Sequence, residues 1–274
     1  MNIHVYRMDC ITNLHVGSGD VNYNIVDNEV ERDVATEMPT INSSGVKGAI
    51  REQCVNSGKY ERAEVIKIFG QDNKKRKDKD GKEIKPEKTV IPGSYKFFSA
   101  DFIARPLRVT SDGMSSIPVT TPDALKNFAK LLMALGCDKY NCLKEIELGT
   151  DGFAATEEGI CIEGERAAML KLSDEQKQSI GSLLGDTYAL TNSLKEYDLP
   201  VIARNFLEDG ISQNLWYEEV VPHGSVFATV IITPEADCAL DELFKECVQF
   251  GANASIGYGI MKLTKLYPEG GSEE

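Results

Sequence analysis

The 274 residues include one tryptophan and three histidines, and none of the seven cysteines forms a C-x-x-C pair. A zinc site needs Cys or His ligands clustered at short spacing. Cys10, Cys54, Cys137, Cys142, Cys161, Cys238 and Cys247 are scattered, and His4, His15 and His223 stand near no cysteine pair. Buried free thiols are therefore expected. No apolar run reaches the length of a membrane span, so no membrane partner is expected. The opening Met1-Asn2-Ile3-His4-Val5-Tyr6 lacks the basic and apolar regions of a signal peptide, which points to a cytoplasmic protein.

An excess of positive charge is also missing, since the formal net charge is −13. Bulk acidity bears on solubility and non-specific association rather than on one local surface. The charge is uneven: residues 74–88 carry eight basic and four acidic side chains, a local +4 that leaves −17 elsewhere. Nucleic-acid binding is neither suggested nor excluded by composition. Hydrophobic residues make up 42% of the chain, enough for a sizeable core.

Residues 3–10 alternate apolar and polar side chains and read as a strand. An irregular stretch at 17–42 follows. Ser43-Ser44-Gly45 opens a helix whose apolar face is Val46, Ala49, Ile50 and Val55. Lys47 and Arg51, four residues apart, share one flank of it. Residues 71–93 read as a surface loop insertion with a turn at Asp80-Gly81, and 97–109 as a second strand region. Thr121-Pro122-Asp123 starts a helix along Leu125, Phe128, Leu132 and Leu135 that stops at Gly136. Ser173-Asp174-Glu175-Gln176 is a capping-box pattern.

Near the end, 215–221 and 226–233 read as strands joined by Pro222-His223-Gly224. A helix is expected from Thr233-Pro234 to Gly251 along Leu240, Leu243, Phe244 and Val248. A last strand follows at 259–266, then a polar tail over 267–274. Strand, helix, strand at each end gives the pieces of a split βαβ, so the fold class is α+β with a ferredoxin-like (RRM-like) core and insertions in the middle. One domain over 1–274 accommodates it.

Several residues invite chemical roles. The helix opening at Ser43 offers free N–H groups and, with Ser44, Lys47 and Arg51, suits phosphate. Asp27 lies in a polar loop, where aspartates mostly shape turns. Glu218 and Glu219 sit side by side in a strand-like segment, and His15 could be a turn residue packing on the sheet. Residues 251–259 are rich in glycine, which lets backbone approach a ligand closely. This is no Walker or Rossmann loop, because no strand is expected before it and no helix after it. Trp216 could stack on a base or sit in the core.

Leu14-His15-Val16-Gly17-Ser18-Gly19, Ile25-Val26-Asp27, Val30-Glu31-Arg32-Asp33 and Lys47-Gly48-Ala49-Ile50-Arg51 resemble, in order and spacing, the RAMP superfamily. Ile68-Phe69-Gly70, Trp216-Tyr217-Glu218-Glu219 and residues 251–259 extend the resemblance over most of the chain. Within the superfamily the pattern is most similar to the repeated backbone subunit, the fourth Cmr subunit, of type III-B CRISPR effector complexes. The resemblance implies an RRM-like palm with a β-hairpin thumb, here at 200–214. It implies CRISPR guide RNA, target RNA, further copies of the chain and other Cmr subunits as partners.

It also implies an endoribonuclease that cuts guide-paired target RNA, with Asp27 catalytic and able to hold a divalent cation, expected to be magnesium. His15, Glu218 and Glu219 are secondary catalytic candidates, although Val220 stands where related sequences often have an aromatic. Ser44, Lys47, Arg51, Arg204 and Gly257 are the RNA-binding candidates; the usual Gly-Ser-Ser order is here Ser43-Ser44-Gly45. A purely structural RNA-binding subunit and a guide-processing endoribonuclease are the alternatives.

Overall fold

The computed structural model describes residues 1–19, 26–71, 76–77, 83–84, 91–111, 113–195 and 198–268. Most of residues 74–88, and the tail from 269, lie outside them. Within the 71–93 segment the described backbone includes a short antiparallel pair, Arg76–Lys77 with Glu83–Ile84.

The centre is one large sheet. Strand β1 (Asn2–Cys10) pairs antiparallel along its length with a strand of eight buried residues late in the chain, Val226–Thr233, and on its other edge with the last strand, Ile260–Tyr267. The first of these partners also pairs antiparallel with β2 (Ala100–Ser111), which pairs with β3 (Met114–Thr120). Two strand–helix–strand units thus interleave, the first through helix α1 (Ser43–Ser57). That is the strand order of a split βαβ pair.

Helices cover both faces. Val46, Ile50 and Cys54 of α1 and Val65, Ile68 and Phe69 of α2 (Arg62–Phe69) pack on one face with Tyr6, Met8 and Phe227. On the other, α3 (Pro122–Ala134) and α4 (Asp174–Leu184) bring Leu125, Phe128, Ile180 and Leu183 against Val5, Ala104 and Val230. Burial from two sides explains why six of the eight residues of Val226–Thr233 are apolar. Both predicted caps form: Thr121 Oγ1 accepts from Ala124 N–H at 3.1 Å, and Ser173 makes a capping box with Gln176.

A hairpin of β4 (Val201–Glu208) and β5 (Ile211–Glu219) forms a separate two-stranded sheet. Its turn is Asp209-Gly210, both at positive φ, the dipeptide and conformation that match strand twist. Val201, Phe206, Leu207, Ile211 and Leu215 are exposed along it.

The helix predicted from Thr233 to Gly251 is instead one turn, α5 (Asp241–Phe244), followed by an edge strand, Cys247–Gln249, that pairs with the last strand. Lys262 Nζ takes the carbonyls of Phe244 and Lys245 that a longer helix would need. Val248 then faces the core from a strand. The glycine-rich stretch is therefore preceded by a strand, contrary to the sequence expectation, because the apolar spacing fits a turn plus strand equally well. With β6 (Val226–Thr233), β7 (Cys247–Gln249) and β8 (Ile260–Tyr267), the central order is β2-β6-β1-β8-β7. The thiols follow expectation in part: Cys10, Cys54, Cys137 and Cys238 are buried, but Cys247 on the edge strand is exposed.

Candidate active site at the root of the hairpin

The chain after residue 25 runs beside the hairpin's second strand. Asp27 N–H and Asn28 N–H donate to Tyr217 O at 3.1 and 3.2 Å, and Glu219 N–H donates to Asn28 O at 2.9 Å. Tyr217 N–H in return donates to Asp27 Oδ2 at 2.8 Å. The carboxylate is exposed, yet its backbone and one of its oxygens are fixed by a strand. On the far side Glu31 N–H donates to Val16 O at 2.7 Å, so the segment is held from two sides.

Beneath Asp27 lies a buried polar cluster. Glu218 is 6% exposed and accepts from Arg204 Nη1 at 2.8 Å, Trp216 Nε1 at 3.1 Å and Asn253 Nδ2 at 3.1 Å. Burial works to raise its pKa, but the hydrogen bonds from Trp216 and Arg204 and the Arg204 charge outweigh it. The carboxyl is held below the ordinary glutamate value. The Arg204 guanidinium also lies 5.6 Å from the Trp216 ring centroid, a cation–π distance.

Glu219, equally buried, pairs with Arg32 and accepts Val30 N–H at 3.0 Å. His15 is 5% exposed, with Nδ1 2.7 Å from Glu219 O. Its carbonyl accepts Ala252 N–H at 2.8 Å, joining the glycine-rich loop to the cluster. In that loop a Cβ on Gly251 would sit 2.3 Å from His15 O, and one on Gly259 would sit 1.8 Å from Phe250 O; both have positive φ. These two glycines allow the close approach. Gly257 has open space around it.

The structure thus brings His15, Asp27, Arg204, Glu218 and Glu219 together. Arg204 is engaged by Glu218, and His15 is enclosed. Ser44 is exposed and Lys47 and Arg51 half-exposed on α1, and Asn42, which precedes the helix, hydrogen-bonds Glu31. Asn42 makes no side-chain cap for α1. Sequence reasoning did not single out Arg32 or Asn253. Each lies within one of the family motifs, which was the available signal, but their partners are 187 and 35 residues away.

A model of the RAMP superfamily matches residues 7–262. The chain belongs to the RAMP superfamily. Its relatives include the "CRISPR system Cmr endoribonuclease Cmr4" of Pyrococcus furiosus, 25% identical over 300 residues, with 96% of each chain covered. The fold is shared with a chain of the type III-B Cmr-beta complex bound to cognate target RNA, at 19% identity, TM-score 0.74 and 97% of each chain. It is shared also with oligomeric Cmr4 from Pyrococcus furiosus, at 20% identity, TM-score 0.69, 97% of this chain and 98% of that one. In this RAMP chain the matched span takes in every residue of the cluster, from His15 to Asn253.

Proposed function

We propose that this RAMP chain is a backbone subunit of a type III-B CRISPR effector complex that lies along guide RNA, beside further copies of itself, and cuts the target RNA paired to the guide. The observation that carries the reading is the exposed Asp27 carboxylate, anchored through Oδ2 to the amide of Tyr217 at the root of a protruding hairpin.

RNA brings its own nucleophile, the 2′-hydroxyl beside each phosphate. Cleavage forms a bond from that oxygen to phosphorus and breaks the bond to the 5′-oxygen, leaving a 2′,3′-cyclic phosphate and a 5′-hydroxyl. The protein must align the nucleotide, accept the 2′-proton and let the leaving oxygen gain one. Asp27 suits the role of proton acceptor, since one carboxylate oxygen is pinned and no described residue engages the other. The hairpin beside it suits the alignment, because a nucleotide bent out of its stack at this point swings its 2′-oxygen into line. Glu218 and Glu219 hold the frame, each already committed to its own donors. His15 is enclosed beneath the loop.

Among the described residues no three His, Cys, Asp or Glu side chains form a metal cage. Magnesium keeps several waters and accepts one or two carboxylates together with substrate phosphate, so one exposed carboxylate fits an ion shared with RNA. Bound by Asp27, such an ion supplies positive charge against the charge that builds on the phosphate. Guide contacts fall to the amides that open α1, to Ser44, Lys47 and Arg51, and to the open backbone near Gly257. These local groups, rather than the net charge, carry the binding.

The test gives an assembled complex a target RNA with one 2′-deoxynucleotide at a cut position. Cutting should stop there and persist at the other positions, with cyclic-phosphate and 5′-hydroxyl ends. Cutting at the deoxy position, or 5′-phosphate ends, overturns the mechanism. Expressed in its host, the subunit should co-purify with a small repeat-derived RNA.

A further inference from the structure

We infer that Asn253 is a positioning residue for this cleavage, joining the glycine-rich loop to Asp27 through Glu218. The inference rests on the cleavage reading and adds a coupling between the loop and the site.

Asn253 holds a left-handed backbone, φ 65° and ψ 27°. Its carbonyl accepts from Ile256 N–H at 3.1 Å and Tyr258 N–H at 3.3 Å, so it organises the turn of the loop. Its side chain leaves that turn and donates through Nδ2 to Glu218 Oε2. Glu218 follows Tyr217 in β5, and Tyr217 is the residue whose N–H and C=O hold Asp27. Fixing the Glu218 side chain from the loop fixes the pitch of that strand, and with it the direction of the Asp27 carboxylate. Asn28 Nδ2 reaches the same Glu218 carboxylate at 3.5 Å, a looser contact from the Asp27 side.

The residue type fits this role. Asparagine tolerates the left-handed region and carries a donor. Glycine would keep the backbone and lose the donor; aspartate would set a second carboxylate against Glu218. Small displacements of an aligned group are enough to slow an in-line reaction, with a 1 Å error costing on the order of a hundredfold.

The experiment compares assembled complexes carrying Asn253→Gly, Asn253→Asp, Glu218→Gln and the double exchange Asn253→Asp with Glu218→Gln. Asp27→Ala serves as reference. Maximal single-turnover rate, half-saturating target concentration and retained guide RNA are read for each. For Asn253→Gly the rate should fall roughly tenfold or more while half-saturation and guide content stay at wild-type values. The double exchange removes the carboxylate pair and restores a 253–218 bond with donor and acceptor reversed, so it should cut faster than Asn253→Asp alone. A wild-type rate in Asn253→Gly, weakened RNA binding at an unchanged rate, or a double exchange no faster than Asn253→Asp overturns the inference. Wild-type cutting by Asp27→Ala would instead bring down the cleavage reading itself, and the two failures are told apart.

Discussion

Replacing Glu219 with alanine isolates the anchor that ties the Asp27 segment to the hairpin. The substitution leaves the backbone bonds of residue 219 in place and removes two side-chain bonds, to Val30 N–H at 3.0 Å and to Arg32. Val30 is 3% exposed, so its amide would be stranded away from water. An unsatisfied buried donor costs about 1–3 kcal/mol. The Arg32 side chain is 38% exposed, and solvent screening limits the lost pair to about 1 kcal/mol or less. Together the loss is about 1–4 kcal/mol, or roughly 2–7 °C in Tm for a domain of this size. Glu219→Gln keeps a carbonyl to accept from Val30 and should lose about 1 kcal/mol. Thermal unfolding of both variants gives the comparison. Equal destabilisation by Ala and Gln, or an alanine variant within about 0.5 kcal/mol of wild type, refutes the assignment of the anchor to the Val30 bond.

Other outcomes follow from the same structure. Gly259→Ala would set a Cβ 1.8 Å from Phe250 O at φ +74°, and should cost more than about 3 kcal/mol by denaturant titration; Gly257→Ala, with open space at φ +81°, should cost only about 1–2 kcal/mol. Glu218 has a pKa below the ordinary glutamate value of 4.5 in the folded chain, so its contribution is present above 4.5 and is lost as pH falls through the folded value. Urea midpoints of Glu218→Gln should therefore fall less steeply than wild type over that acid range, and parallel curves would contradict the shift. Alkylation under native conditions should label Cys247 first and spare Cys10 and Cys54, in both of which burial pushes the thiol pKa up; mass spectrometry of the digested protein reads the order.

How much of this was legible in the sequence depends on where each structure's partners lie. The first strand and α3 were readable because period-2 alternation and a Thr-Pro start are local signals. The capping box at Ser173 was equally local. The 233–251 segment misled because Leu240, Leu243, Phe244 and Val248 satisfy helical spacing, while the residue that ends the helix, Lys262, comes later in the chain. A protruding hairpin was expected at 200–214 and a strand from 215; the structure joins the two, since the hairpin's second strand runs Ile211–Glu219 from the turn at Asp209-Gly210. At the site, family motifs picked out Asp27, Glu218 and Glu219, but not what holds them. Arg32, Asn253 and the Tyr217 amide act across long sequence separations, and neither spacing nor composition records such pairings.

The decisive measurement is target cleavage by a complete, guide-loaded complex in which every copy of this chain carries Asp27→Ala. The complex should assemble, retain its guide and bind target as the wild type does, yet leave the target RNA intact. Fragments of unchanged length and rate from that complex would mean that Asp27 does not perform the cut.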